Sequence, residues 1–251
     1  MKFFSLILFL ASTLTYSQSI DLNKWVEKPF PLHTELDLPN YYIAKDKNDD
    51  SFKIQTIPVL LDAIPTSTIH TLIEKKFGIN NGKRTIKKVF NGYLISYADG
   101  EFGGNLYFIS DDNKKSYLIA ERTRIKFFIE TDNELFAFGG LANLGTSRGS
   151  AYKLNYKPKW KLEYLKNLQA DPLNIIQNNK NIYIISSENL LKFKPDDELN
   201  TVLTFPFNLG IFYPTSSVII KNDLYIAMRS GVLKVKNFSY KPTFHWLEEK
   251  E

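Results

Sequence analysis

The sequence predicts an all-β protein built from repeated four-stranded units. Short runs rich in aromatic and β-branched residues alternate with polar or glycine-containing turns along most of the chain, which is the composition of strands and hairpins. The same arrangement of runs returns four times between residues 84 and 247. With 43% hydrophobic residues, the chain also has enough apolar material for a packed core.

Each unit contains a hairpin with one strand before it and one after it. The first apolar residues of the four hairpins are Leu94, Leu135, Ile182 and Leu224, at spacings of 41, 47 and 42 residues. The preceding strands are predicted at 86–90, 125–130, 173–177 and 217–221, and the following strands at 116–120, 160–165, 201–205 and 243–247. Four strands at a period of ~40–50 residues are the sequence sign of β-propeller blades.

The repeat favours sheets that are covered on both faces. Residues 182–185 are apolar at four consecutive positions, as in strands that are buried on both sides. Stacking sheets around an axis buries each face against the next sheet. Residues 84–247 therefore resemble the β-propeller superfamily in general, over about two thirds of the chain, and no motif selects a family within it. This resemblance implies a fold and no activity. A β-sandwich stays as the alternative, although it predicts no such repeat.

The segment before the repeats is less regular. Residues 18–83 contain two predicted strands, at 41–45 and 51–57, which would make most of a fifth blade. We therefore expect 18–83 and the repeat region 84–251 to form one domain with five blades.

A short amphipathic helix is predicted over residues 67–77. Thr66 or Ser67 can cap its start, and Gly78 stands where a helix normally ends. Its apolar residues share one face and are expected to pack on the sheets; they are Ile69, Leu72, Ile73 and Phe77.

The first 17 residues predict a cleaved export signal. Lys2 precedes an apolar run over 3–10, small polar residues follow, and the cut is placed between Ser17 and Gln18. The run is about half of the ~20 residues that a spanning helix needs, and no later apolar segment is longer. We therefore expect a secreted or periplasmic protein without an integral membrane span.

Metal and cofactor chemistry is not indicated. The chain has no cysteine and only three histidines, none of which stands four residues from another. The turn at 46–51 alternates acidic and amide residues like a calcium loop, but it lacks the required glycine and glutamate. The glycine spacing from Gly140 to Gly145 resembles a P-loop without its lysine. No metal or cofactor is predicted.

The charge balance bears on the kind of partner. The net charge of +5 comes from lysines and arginines that are scattered, with small clusters only at 84–88 and 121–126, so nucleic acid is not expected as a ligand. Attraction to an acidic protein or to an anionic envelope glycan is the better prediction for an exported protein.

One class of loop varies more than the others. The hairpin between the second and third strands of a unit is short at 186–189 and 228–231 and longest at 139–150. In a propeller these hairpins emerge together around the axis, on a side that we name the loop face, and insertions on one face often mark a binding side. The predicted binding residues on the loop face are Asp99, Glu101, Arg148, Glu188 and Arg229.

These observations predict a non-catalytic binding module that engages a protein or an envelope glycan through its loop face. An immunity or inhibitor protein is one specific version of this prediction. The alternative is a carbohydrate-active hydrolase or lyase, whose two carboxyl groups would have to lie ~5–10 Å apart across a sugar cleft at the axis. No nucleophile motif supports an enzyme directly.

Overall fold

The protein is all-β, as predicted. The computed structural model describes residues 19–32, 39–45, 51–57, 68–78, 84–98, 103–143 and 146–250. Within these ranges the chain forms five sheets and a single α-helix, α1 (Thr68–Phe77).

Four strands precede the helix in the described part of the chain. They are β1 (Ser19–Ile20), β2 (Trp25–Lys28), β3 (Asn40–Lys45) and β4 (Ser51–Ile57). Sheet I has the order β1-β4-β3, with a parallel β1–β4 pair and an antiparallel β3–β4 hairpin. β3 and β4 confirm the two predicted N-terminal strands, whereas β1 and β2 were not predicted.

Among the described residues after the helix there are sixteen strands, four to a sheet, and each sheet is antiparallel and ordered as in the sequence. Sheet II contains β5 (Arg84–Val89), β6 (Gly92–Ala98), β7 (Gly104–Ser110) and β8 (Ser116–Ala120), and sheet III contains β9 (Ile125–Glu130), β10 (Leu135–Asn143), β11 (Thr146–Tyr156) and β12 (Trp160–Asn167). Sheet IV contains β13 (Asn174–Asn178), β14 (Asn181–Ile185), β15 (Asn189–Phe193) and β16 (Asn200–Thr204), and sheet V contains β17 (Ser216–Ile220), β18 (Asp223–Met228), β19 (Gly231–Lys236) and β20 (Thr243–Glu249). The predicted strands agree with these bounds to within two residues.

Strand β2 joins the other end of the chain. It pairs antiparallel with β20 and gives sheet V a fifth strand. His245 Nδ1 lies 3.0 Å from Glu27 Oε1, and the Lys250 N–H donates to the Lys24 carbonyl. The N-terminal segment is thereby tied to the last repeat.

The predicted alignment of the four hairpins is wrong by one residue in the first unit. Leu135, Ile182 and Leu224 each pack against the preceding sheet, but Leu94 packs against the following one. Tyr93 takes the equivalent place. It pairs with a residue of the first strand one step from the turn that joins the first and second strands, as Ile182 does in sheet IV. Both faces of these strands are buried, so the apolar pattern does not show the register.

The middle strands bury alternate residues against two neighbouring sheets. On β10, Leu135 and Ala137 pack towards sheet II, whereas Phe136 and Phe138 pack towards sheet IV. β14 and β18 divide their residues in the same way. Four apolar clusters therefore lie between sheets II and III, III and IV, IV and V, and V and I.

Helix α1 covers the remaining face of sheet II. Ile73 is fully buried against Ile95 and Ile109, and the Phe77 ring stacks on Tyr107 with centroids 4.2 Å apart. Gly78, at φ +67°, ends the helix as predicted, and its N–H donates to the Glu74 carbonyl. The predicted caps Thr66 and Ser67 lie outside the described residues.

Candidate functional site

The linkers between sheets place the loop-face hairpins on one side of the molecule. After sheet III, the Leu168 N–H donates to the Gly149 carbonyl in the β10–β11 hairpin. A few residues later, the Leu173 N–H donates to the Ile185 carbonyl at the end of β14. The same linker thus contacts the hairpin ends of sheets III and IV.

The linker after sheet IV makes the equivalent connection. It contains a 3-10 helix, Leu209–Phe212, whose first N–H donates to the Ser187 carbonyl in the β14–β15 turn. At its other end the Phe212 carbonyl accepts from the Arg229 N–H in the β18–β19 turn. The hairpin ends of sheets III, IV and V are therefore neighbours.

A cleft of about 510 Å³ opens on the loop face between sheets II and III. Its positive side chains all come from arginines, and glycines form much of its wall. The arginines are Arg122, Arg124 and Arg148, and the glycines are Gly103, Gly139, Gly140 and Gly149. We name it the arginine cleft.

The three guanidinium groups have no partner among the residues that the structure describes. Arg122 and Arg148 are exposed and Arg124 is half-buried. Within the described ranges, none of the three makes an ion pair or a hydrogen bond through its side chain, and no carboxylate lines the cleft. Three like charges in one cleft repel each other, and a bound anion would relieve the repulsion. Guanidinium groups bind carboxylate, sulfate and phosphate through paired N–H donors.

Hydrogen bonds from sheet II fix the backbone at Arg122. This residue has a left-handed conformation, φ +51°, which is uncommon for a residue with a side chain. Its N–H donates to Asn105 Oδ1 at 3.1 Å, and Asn105 Nδ2 donates to the Tyr107 hydroxyl at 3.1 Å. Asn105 on β7 therefore holds the point from which the Arg122 side chain extends.

A buried ion pair lies behind the glycine wall. The Asp171 side chain is only 6% exposed, and its Oδ2 accepts from Lys126 Nζ at 2.9 Å. A Cβ at position 140 would lie 2.6 Å from Asp171 Oδ1, so only glycine fits there. The Asp171 N–H donates to Ser147 Oγ at 2.8 Å, which ties the linker to the long hairpin.

The predicted binding residues fall in three different situations. Arg148 lines the arginine cleft. Glu188 is exposed in the β14–β15 turn, and Arg229 lies in the β18–β19 turn with its guanidinium 4.2 Å from the Tyr213 ring centroid. Neither belongs to the cleft lining. Asp99 and Glu101 lie outside the described residues.

Sequence reasoning missed the residues that accompany Arg148. Arg122 and Arg124 stand in a basic run between two strands, a signal that is visible but indistinguishable from a solvated turn. Asp171 lies in a linker next to a proline and has no local motif. Only the fold brings these residues to one place.

Other kinds of site find no support in the parts of the chain that the structure describes. No three His, Asp or Glu side chains are grouped there as metal ligands. No helix among these residues is long and apolar enough to cross a membrane.

Comparisons with known proteins identify no family. No family model matches the chain, and no curated protein matches it. Among solved structures, the computationally designed Ika4 protein is similar at 9% identity and TM-score 0.39, over 68% of this chain and 94% of that one.

Two natural proteins show likeness at the same level. A Bacillus subtilis glycoside hydrolase family 43 arabinoxylan arabinofuranohydrolase in complex with cellotetraose has 10% identity and TM-score 0.36, over 66% of this chain and 46% of that one. An S. cerevisiae structure of dbp5 bound to nup159, gle1, IP6 and ADP has 12% identity and TM-score 0.42, over 92% of this chain and 70% of that one. Similarities this low assign neither a family nor an activity.

Proposed function

We propose that the protein is an exported, non-catalytic β-propeller whose loop face binds an anionic partner in the arginine cleft. The observation that carries the proposal is the convergence of three arginines on one glycine-walled cleft, where their side chains have no partner among the described residues. Export follows from the signal-like first 17 residues.

The propeller architecture is supported by how the sheets meet. β5 contacts β9, β9 contacts β13, β13 contacts β17, and β17 contacts β3 of sheet I. Sheets II to V thus approach each other through their first strands, which line the axis in a propeller, and sheet V meets sheet I at the edge strand β3. Each middle strand also buries both of its faces, as blades do.

A binding role is favoured over catalysis by the chemistry of the cleft lining. Hydrolysis of a glycosidic bond needs a pair of carboxyl groups across the sugar. The described residues that line the cleft supply guanidinium, hydroxyl and amide groups and no carboxyl group. Such a set can hold an anion but offers no acid–base pair.

Binding of soluble polyanions tests the proposal. The variant Arg122→Ala, Arg124→Ala, Arg148→Ala should bind dextran sulfate and polygalacturonate at least about tenfold more weakly, because charge-assisted hydrogen bonds are lost. Affinity is measured by biolayer interferometry at fixed ionic strength, since polyanion binding depends strongly on salt.

A variant that removes three other positive charges is the matched control. Lys114, Lys157 and Lys161 are exposed and lie in or next to turns at the opposite end of sheets II and III. Their combined replacement by alanine should leave the affinity nearly unchanged. An equal loss in both variants would show that net charge alone attracts the polyanion, and the proposal would then be wrong.

A further inference from the structure

Two tyrosines continue the surface of the arginine cleft. Tyr152 on β11 lines the cleft, and Tyr164 on β12 is its direct cross-strand partner. The two rings make an edge contact with centroids 5.9 Å apart and planes at 75°. Tyr164 is 59% exposed, so its ring is a free aromatic surface at the outer side of the cleft.

The regular ladder of the β11–β12 hairpin places Tyr164 on this side of the sheet. The pairs run without interruption from Tyr156–Trp160 to Tyr152–Tyr164, and Leu162, two residues before Tyr164, packs into the cluster between sheets II and III. Leu165 packs into the cluster between sheets III and IV, on the other face. The register shifts only beyond this pair, where Ala151 pairs with Lys166.

The combined surface matches an acidic sugar. The arginines would take an anionic group, and the hydroxyl and amide groups of Thr123, Ser150 and Asn167 in the same cleft can bond sugar hydroxyls. The apolar face of a neighbouring ring can lie on an exposed aromatic ring such as Tyr164. A volume of about 510 Å³ is in the range of small-ligand sites, which is about 300–1,000 Å³.

We infer that the ligand is an acidic saccharide, with a carboxylate or sulfate group bound by the arginines and an adjoining sugar ring stacked on Tyr164. The inference rests on the proposed function and names the chemistry of its partner. An acidic peptide or a phosphate polymer would use the arginines and gain little from the tyrosine, so the aromatic ring distinguishes these ligands.

Four soluble probes and two single variants test the inference. The probes are trigalacturonate, which carries only carboxylates, a carrageenan tetrasaccharide, which carries only sulfate esters, hexaglutamate and inorganic sulfate, and binding is measured by isothermal titration calorimetry. Tyr164→Ala should weaken binding of the preferred saccharide about tenfold and leave inorganic sulfate unchanged, because only the stacking surface is removed. The better of the two saccharides identifies the anionic group as a carboxylate or a sulfate ester.

Tyr156→Ala is the matched control, since Tyr156 is 41% exposed and lies at the far end of β11. It should bind all four probes like the wild type. The inference is overturned if hexaglutamate binds as tightly as either saccharide, or if Tyr164→Ala behaves like Tyr156→Ala.

The triple arginine variant separates the two proposals. If it loses saccharide binding while Tyr164→Ala does not, the cleft binds anions but the saccharide inference fails. If it binds saccharides as the wild type does, or if no probe binds the wild type, the proposed function itself fails.

Discussion

Asp171 is the residue on which the geometry behind the arginine cleft depends. Its carboxylate is almost fully buried, pairs with Lys126 and lies against Gly140. Removing a charge from water is costly, and this cost is offset only where an opposite charge is held close to it. The pair fixes the linker after sheet III against the start of β9.

Replacing Asp171 by alanine should therefore destabilise the protein. We expect a loss of about 2–3 kcal/mol in the free energy of unfolding, because the contact of 2.9 Å between the half-buried Lys126 ammonium and this buried carboxylate would be lost. Urea denaturation followed by tryptophan fluorescence measures the loss.

Asp197→Ala provides the comparison, since the Lys194–Asp197 pair is more than half exposed. Exposed pairs contribute little, so its denaturation midpoint should stay at the wild-type value. Equal midpoints for the two variants would contradict the role given to Asp171.

For single residues, the sequence predicted one member of the arginine cleft. The length of the 139–150 hairpin pointed to Arg148, and the structure places it in the cleft. Arg122, Arg124 and Asp171 were not predicted, because a basic run or a single linker aspartate looks the same whether it faces a cleft or solvent.

Among the elements, helix α1 has a clear structural task. Among the described residues, no four-stranded sheet precedes sheet II in the chain, and the helix covers one face of sheet II. The amphipathic spacing of the segment predicted this packing correctly, and the predicted bounds differ from Thr68–Phe77 by one residue.

Ile73→Ala should show how much the stability of sheet II depends on helix α1. The Ile73 side chain is fully buried between Ile95 and Ile109, and removing its buried methylene and methyl groups leaves a cavity. We expect the free energy of unfolding to fall by about 3 kcal/mol. Lys75→Ala, at an exposed position of the same helix, should change it little. Equal unfolding midpoints for both variants would show that the helix does not stabilise sheet II.

Strand positions could be predicted from the sequence, but strand register could not. Strand positions follow from local composition, and they agree with the structure to within two residues. The register of a strand does not follow from local composition, because Tyr93 and Leu94 are both suited to a strand that is buried on both faces. The pairing of β2 with β20 joins segments more than 200 residues apart, and no local pattern indicates it.

For the whole molecule, the contacts between sheets include tyrosines that resist ionisation. Burial raises the pKa of Tyr183 above its ordinary value of 10.0, and burial together with nearby Glu249 raises that of Tyr41. Tyr117, which accepts the Trp160 N–H, also has a raised pKa because of burial. These three residues lie in three different contacts between sheets.

Stability should therefore fall at alkaline pH. An unfolded tyrosine ionises near pH 10.0, whereas the folded one keeps its proton, so unfolding releases protons and becomes easier as the pH rises above 10.0. Lys153, hydrogen-bonded to Glu134, also has a raised pKa and acts in the same direction. Thermal unfolding midpoints at pH 8 and pH 11 measure the effect.

Tyr183→Phe isolates the tyrosine contribution. This variant should lose less stability between pH 8 and pH 11 than the wild type, because its side chain cannot ionise. Tyr240→Phe, at a position that is 71% exposed, should match the wild type. The same loss in Tyr183→Phe as in the wild type would refute the assignment to buried tyrosines.

The sequence by itself determined the strands of the four repeats, their grouping in fours, the short helix and the glycine that ends it. These features depend on neighbouring residues, and their composition and spacing can be read along the chain. Only the tertiary structure decided which residues share the arginine cleft, which neighbouring sheet Leu94 packs against and where β2 pairs. Those outcomes depend on the paths of linkers, on strand register and on contacts between distant segments, and local sequence does not encode distances across the fold.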